Sequence, residues 1–133
     1  MGTYEISVDH RFRARHAIVL GDGEWEESHE HEWLATATFR CDELEPVTGV
    51  VVDFLDVTDA LKEIGDGLEG RDLNQIGELA EGATAERVAW YLARRLARIL
   101  GPDGDKLYRV CVTEAPGCRA AYYPSGPGDL TLG

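Results

Sequence analysis

Three histidines near the N-terminus have the spacing of a metal site. His29 and His31 form a His-x-His pair, and in an extended chain residues two apart point to the same side. His16 continues the alternation of an earlier apolar row, so a third imidazole can lie on a neighbouring strand. Imidazole nitrogen suits zinc, and three protein ligands leave a fourth position for water or substrate. A His-x-His pair alone often lies on a surface without metal, so the predicted zinc site depends on His16, while His10 is interpreted as structural.

Glutamates provide the other candidates for chemistry. Glu114 continues the apolar row of Tyr108, Val110 and Val112. A carboxylate on a buried row needs a hydrogen-bonding partner, and a ligand with paired N–H donors would supply one. The alternative is a carboxylate at the end of a hairpin. The acidic run at 24–27 has a similar alternative, a solvated loop.

Alternating apolar and polar residues predict four strands. The first covers about Thr3 to Arg15, and the second about His31 to Cys41. The third covers about Leu107 to Glu114 and the fourth about Cys118 to Tyr123, with a turn at Pro116-Gly117 between them. The last two strands therefore form a hairpin.

Two helices are predicted between the second and third strands. Asp53 is a candidate N-cap, and the apolar residues that follow at helical spacing are interrupted by Gly65 and Gly67. Thr84 is the candidate cap of the second helix. The order strand, strand, helix, helix, strand, strand predicts an α+β domain: an antiparallel sheet with both helices on one face.

Composition limits the classes of function. A chain of 133 residues is long enough for one domain, expected over residues 1–124, with a loose C-terminal tail at 125–133. The net charge of -12 argues against nucleic-acid binding, and no apolar run is long enough to span a membrane. The start of the chain does not have the pattern of a signal peptide, and Cys41, Cys111 and Cys118 are expected to be reduced thiols. We therefore expect a cytoplasmic location.

Six short motifs occur in a fixed order over about residues 4 to 123. They are Phe12-x-Ala14-x-His16, His29-x-His31, Gly49-x-Val51-x-Asp53-Phe54, Leu73-Asn74, Thr84-x-Glu86 and Thr113-Glu114. Each is weak alone, but together they resemble the 6-pyruvoyl-tetrahydropterin synthase / 6-carboxy-tetrahydropterin synthase family. The resemblance implies the tunnelling fold, a four-stranded antiparallel sheet with two helices between strands two and three. It also implies a homo-oligomer, a trimer or hexamer, with active sites at subunit interfaces.

The resemblance also implies roles for the candidate residues. His16, His29 and His31 would hold zinc, and the zinc would bind the side-chain hydroxyls of 7,8-dihydroneopterin triphosphate and lower their pKa. Glu114 would bind the ring N–H and amino group of the pterin in a bidentate way.

Three positions depart from the family pattern. The usual proton-abstracting cysteine is replaced by Trp25, the usual catalytic histidine by Gly70, and the glycine between the zinc histidines by Glu30. Glu69, next to Gly70, keeps the carboxylate of the family's Asp–His pair. The usual reaction needs one group to take a proton from carbon and another to return it, and neither Trp25 nor Gly70 can do so.

A family variant carries a glutamate three residues before the His-x-His pair, the position of Glu26 here. That variant cleaves the substrate side chain to give 6-hydroxymethyl-7,8-dihydropterin, a folate precursor. We therefore hypothesise that Glu26 is the general base, with Glu69 or Asp72 as the second proton-transfer group. A 6-carboxy- or 6-pyruvoyl-tetrahydropterin product, as in queuosine or related pathways, stays open.

Two other functions are consistent with these residues. The first is an enzyme of the same fold moved to a non-pterin lyase or cyclisation reaction, in which Arg71 could bind an anion. The second is a non-catalytic zinc- or pterin-binding protein. The role of Cys118 also stays open.

Overall fold

The computed structural model describes residues 2–126; positions 127–133, most of the predicted tail, lie outside the described residues. Four antiparallel strands form one sheet in the order β1-β2-β3-β4, and two helices lie between β2 and β3 in the chain. The elements are β1 Tyr4–His16, β2 His29–Cys41, α1 Phe54–Leu68, α2 Ala85–Leu100, β3 Leu107–Ala115 and β4 Cys118–Tyr122. No described helix is long and apolar enough to cross a membrane.

Strand alternation places one row of side chains in the core. In the β1–β2 register Phe12 lies opposite Trp33, Ala14 opposite His31, and His16 opposite His29. This row and the buried sides of both helices form one hydrophobic cluster. The histidines therefore extend the apolar row, as the sequence predicted.

Helix α1 begins as predicted, but the two glycines do not interrupt it. The Asp53 carboxylate accepts a hydrogen bond from the Leu55 backbone N–H at 2.8 Å, and the helix continues to Leu68. At Gly65 a Cβ would overlap the His10 imidazole, which shows that this glycine allows α1 to approach β1 closely. The predicted break was therefore wrong, because Gly65 has a packing role, and His10 has the structural place expected of it.

Helix α2 is capped by Thr84, whose hydroxyl accepts from the Arg87 backbone N–H at 3.1 Å. It ends at Gly101, which has a φ of 60° that favours glycine. A 3-10 helix, Gly101–Lys106, follows, and a Cβ at Gly104 would lie 2.6 Å from the Ala97 carbonyl oxygen. The chain thus turns back tightly against α2 before entering β3.

The segment after α1 covers part of the outer edge of β1. Gly70 donates its backbone N–H to the Arg13 carbonyl, and Arg15 donates to the Arg71 carbonyl, both at 2.8 Å. Asp72 continues this contact as a parallel bridge to Arg15. These bonds fix the end of β1 that carries His16.

The sheet is open between β2 and β3 near the other histidines. The β2–β3 ladder begins at the pair Leu34–Thr113, so residues 29–33 of β2 pair with β1 alone among the described strands. This gap between β2 and the β3–β4 hairpin adjoins His31.

Candidate metal centre and its carboxylates

The three predicted ligand histidines meet at one end of the sheet. One ligand nitrogen from each of His16, His29 and His31 lies within 4.8 Å of the others. His16 Nε2 and His29 Nε2 are 3.0 Å apart. His16 is buried, whereas His29 and His31 are partly exposed, so the group lies at the boundary between core and solvent.

Hydrogen bonds at Nδ1 indicate the tautomer of His16 and of His29. His16 Nδ1 lies 2.7 Å from the Ala83 carbonyl oxygen, and His29 Nδ1 lies 3.0 Å from the Glu27 carbonyl oxygen. A carbonyl only accepts, so each Nδ1 carries a hydrogen, and in the neutral ring each Nε2 then presents a lone pair. These carbonyls are the partners that typically orient metal-ligating histidines.

Two lone pairs facing each other at 3.0 Å repel unless a cation lies near both. Tetrahedral zinc with bonds of about 2.0–2.1 Å places its nitrogen ligands about 3.3 Å apart. The His16–His29 separation is close to this value. The donor set and its arrangement therefore fit zinc.

His31 is held in the neutral form that binds metal. Burial lowers the pKa of His31, Glu114 opposes this shift, and the neighbouring His29 and His16 lower the pKa further. A neutral imidazole keeps a lone pair for a metal ion.

Glu114 lies beside the histidines at an irregularity in β3. The β3–β4 register shifts between Thr113 and Ala115, and such a bulge re-aims the side chain at its centre. Glu114 Oε1 lies 3.1 Å from His16 Nε2. The carboxylate is 28 % exposed and is thus open to a ligand. Its predicted role as pterin anchor is compatible with this place.

Glu26 also lies beside the histidine cluster. Its Oε1 accepts the Ile18 backbone N–H at 3.1 Å and lies 3.8 Å from His29 Nδ1. Trp25, the preceding residue, is half exposed and forms an isolated bridge with Val19. The chain therefore directs Glu26 toward the histidines and leaves Trp25 on the surface.

The other candidates on the segment after α1 do not contact the described histidines of the centre. Glu69 is exposed and accepts the Arg13 backbone N–H at 3.2 Å. Asp72 accepts from the Asn74 backbone N–H at 3.0 Å, and Arg71 Nη1 donates to the Gly67 carbonyl at 3.3 Å. These groups bond to backbone at the β1 edge and to their own turn, so a catalytic role for Glu69 stays a prediction.

Two supporting groups escaped the sequence analysis. Asn74 accepts the Ala17 backbone N–H at 2.8 Å and donates to the Ala17 carbonyl at 3.1 Å, which fixes the residue after His16. The Ala83 carbonyl orients His16 itself. The Leu73-Asn74 motif was a signal for the Asn74 side chain. The Ala83 carbonyl had no signal, because every residue type has a backbone carbonyl.

A cavity of about 490 Å³ opens beside the metal centre. His31 and Glu114 border it, and it occupies the gap where β2 and β3 are unpaired. The centre is therefore reached from a cavity large enough for a small molecule.

Solved structures of low sequence identity share this fold. A 6-pyruvoyl tetrahydropterin synthase of Caenorhabditis elegans has a TM-score of 0.78 at 20% identity, over 94% of this chain and 98% of that chain. A Plasmodium vivax 6-pyruvoyltetrahydropterin synthase has a TM-score of 0.74 at 15% identity, over 92% and 98%. A second structure of the P. vivax protein, described as a catalytic residue mutant with glutamate replaced by alanine, has a TM-score of 0.75 at 14% identity, over 92% and 98%.

The chain as a whole matches one family. The family model described as 6-pyruvoyl tetrahydropterin synthase matches residues 5–125. The chain belongs to this family. No protein of curated function matches its sequence significantly.

Proposed function

We propose that this protein is a zinc-dependent pterin lyase that acts on 7,8-dihydroneopterin triphosphate or a related pterin. The product would be 6-hydroxymethyl-7,8-dihydropterin. The observation that carries the proposal is the Glu26 carboxylate beside the His16–His29 pair, in a chain of this family that has Trp25 and Gly70 in place of the usual proton-transfer residues.

His16, His29 and His31 would hold the zinc. The donor set supports this assignment, since in the neutral rings Nε2 of His16 and of His29 both carry lone pairs and lie 3.0 Å apart. When bound, zinc would supply Lewis acidity that lowers the pKa of the substrate's side-chain hydroxyls.

Glu26 would be the general base. The Ile18 N–H holds its carboxylate near His29, where it can take a proton from a side-chain hydroxyl. The bond between the two adjacent hydroxyl-bearing carbons then breaks, the carbon that bears the deprotonated oxygen becomes a carbonyl, and the pterin-side carbon receives a proton. The P. vivax relative, whose catalytic residue was a glutamate, supports a carboxylate in this role.

Glu114 would bind the pterin ring. A carboxylate matches an edge with two adjacent N–H donors, and Glu114 is partly exposed and borders both the cavity and His16. The ring would then lie in the cavity with its side chain toward the histidines.

We further propose a homo-oligomer, a trimer or hexamer, that acts in the cytoplasm. Family membership supports the assembly, and the net charge of -12 supports a small-molecule substrate over nucleic acid.

Metal analysis combined with product identification tests the proposal. Purified protein and a His10→Gln control, changed outside the metal centre, should retain about one zinc per chain, and a His31→Ala variant should lose it. Incubation of the wild-type protein with 7,8-dihydroneopterin triphosphate, followed by mass spectrometry, should give 6-hydroxymethyl-7,8-dihydropterin. Zinc retained by the His31→Ala variant would contradict the ligand assignment.

The same experiment separates the alternatives. Binding of zinc and pterin without turnover would indicate a non-catalytic binder. Zinc binding without any pterin binding would indicate an enzyme moved to another substrate.

A further inference from the structure

The Ser28 carbonyl, directly before the ligand His29, is held by a side chain from the opposite face of the sheet. Arg15 Nη2 donates to this carbonyl oxygen at 2.9 Å. Arg15 is exposed and its neighbour His16 is buried, so the arginine side chain leaves β1 on the face away from the histidines. The guanidinium therefore binds the backbone of the β1–β2 connection from outside the metal centre.

The backbone that carries this arginine is fixed on both sides. In the β1–β2 register Arg15 lies opposite Glu30, and at the outer edge its N–H donates to the Arg71 carbonyl at 2.8 Å. A parallel bridge to Asp72 continues that contact. The guanidinium thus projects from a fixed point of the sheet, and its charge-assisted hydrogen bond restricts the position of the Ser28 carbonyl.

The neighbouring carbonyl contacts the ligand histidine itself. His29 Nδ1 lies 3.0 Å from the Glu27 carbonyl oxygen, one residue before Ser28. The Ser28 hydroxyl is buried and has no hydrogen-bond partner among the described residues, so a side chain holds this residue through its carbonyl. Rotation about the Ser28 backbone would reorient the Glu27 carbonyl relative to the His29 ring, and a fixed Ser28 carbonyl limits that rotation.

We propose that Arg15 is a positioning residue of the metal centre, which acts through the Ser28 and Glu27 backbone to hold His29 in the tautomer that presents Nε2 to the metal ion. This inference rests on the ligand assignment in the proposed function. Groups outside the ligand shell that fix the tautomer of a ligand histidine raise metal affinity. Arg15 would do so from the face of the sheet opposite the metal.

The same hydrogen bond bears on the proposed general base. Glu26 lies two residues before Ser28, and its Oε1 is 3.8 Å from His29 Nδ1. Loss of the Arg15 hydrogen bond would therefore loosen the segment that carries the base. Glu114, assigned to the pterin ring, lies on β3, so we expect kcat to change more than KM.

The test compares Arg15→Ala, Arg15→Lys and Arg13→Ala in the full-length protein. Arg13 is the matched control, an exposed arginine on the same face of β1 whose guanidinium contacts Glu30 and Glu32. Long-range nitrogen–proton NMR correlations of the metal-free chain, at a pH where the imidazoles are neutral, report the tautomer of His29. Chelator competition gives the Kd for zinc.

We expect the Nδ1–H tautomer of His29 in the wild type and in Arg13→Ala. Arg15→Ala should show a mixture of both tautomers and bind zinc about tenfold more weakly. Arg15→Lys, which keeps a donor but loses the planar fork, should give intermediate values. With 7,8-dihydroneopterin triphosphate, Arg15→Ala should lose about tenfold in kcat, with KM within about threefold of the wild type.

Added guanidinium separates positioning from a general loss of stability. At a low, non-denaturing concentration, guanidinium can occupy the space left in Arg15→Ala and donate to the Ser28 carbonyl, so zinc affinity should recover. A variant that is only less stable should not recover, because guanidinium weakens folded proteins. Sodium chloride at the same ionic strength is the control for screening.

A wild-type tautomer and zinc Kd in Arg15→Ala would overturn the inference. Equal losses in Arg13→Ala, or a zinc affinity that guanidinium does not restore, would do the same. A wild-type protein that binds no zinc would overturn the proposed function, and the tautomer comparison would still decide whether Arg15 positions His29.

Discussion

At the scale of single residues, neighbouring glutamates of the β1–β2 connection have different environments. Glu26 is partly buried, accepts the Ile18 N–H and lies near His29. Glu27 has an exposed side chain and contributes only its backbone carbonyl, to His29 Nδ1. Substituting Glu26 and Glu27 one at a time can therefore distinguish the roles of the two carboxylates.

Replacing Glu26 by glutamine should abolish most of the turnover. The amide keeps the size and the acceptor for Ile18 but cannot take a proton, so we expect kcat to fall by about 10²–10⁴-fold. Zinc content and Kd for the pterin should stay within about threefold of the wild type, because the histidines and Glu114 are unchanged. Steady-state kinetics with metal analysis measures these quantities.

Glu27→Gln is the matched control, since it removes a carboxylate one position away and leaves the carbonyl that orients His29. Equal losses of kcat in the two variants would show that Glu26 has no special role.

The clustering of the three histidines was predictable in part from the sequence, whereas the groups that support them were not. Because side chains alternate along a strand, His29, His31 and Trp33 lie on one face of β2 regardless of the packing of other elements. The contact between His16 and the Ala83 carbonyl instead joins positions far apart in the chain, and any residue type can supply a carbonyl. Such a contact depends on how the segment before α2 packs against the end of β1.

At the scale of elements, Asn74 connects the segment after α1 to the end of β1. Its amide satisfies both the N–H and the carbonyl of Ala17, which is buried. Asn74→Ala would leave both groups without that partner, at a cost of about 1–3 kcal/mol in the free energy of unfolding. It would also loosen His16 and weaken zinc binding.

Urea denaturation and zinc titration measure the two effects. Gln75→Ala, at the exposed neighbouring position, should change neither by a measurable amount. A stable Asn74→Ala variant with unchanged zinc affinity would refute the supporting role of this side chain.

Two glycines allow a matched test of helix packing. At Gly104 a Cβ would lie 2.6 Å from the backbone oxygen of Ala97, so Gly104→Ala should destabilise the protein by about 1–3 kcal/mol. At Gly67, inside α1, a Cβ would meet nothing within 4 Å, so Gly67→Ala should stabilise it by about 0.5–1 kcal/mol. Opposite signs in thermal or urea unfolding are expected; the same sign for both would contradict this account.

Caps and alternation predicted the elements well, and tertiary packing explains the exceptions. Asp53 and Thr84 cap the helices as expected, because a cap depends on a few adjacent residues. The glycines at 65 and 67 predicted an interruption of α1 because their helix propensity is low. Sequence alone does not show that the space beside Gly65 is taken by a ring from β1.

At the scale of the whole molecule, the excess of acidic residues opposes folding through self-repulsion. With 25 acidic and 13 basic residues, the net charge of -12 is large for 133 residues. Raising NaCl from about 0.05 to 0.5 M should therefore raise Tm by a few degrees, since screening weakens this repulsion more than it weakens the exposed ion pairs.

Thermal unfolding followed by circular dichroism tests this expectation, with KCl in place of NaCl as the control for specific ion binding. A lower Tm at high salt would mean that the ion pairs outweigh the self-repulsion.

The positions of the three histidines also bear on the order of folding. All of them lie on the β1–β2 hairpin, between positions 16 and 31, whereas Glu114 arrives with the last hairpin. Closing so short a loop costs little entropy, so the three imidazoles are brought near one another by the first hairpin alone. The Ala83 carbonyl that orients His16, and the cavity that borders His31, are added only by later segments of the chain.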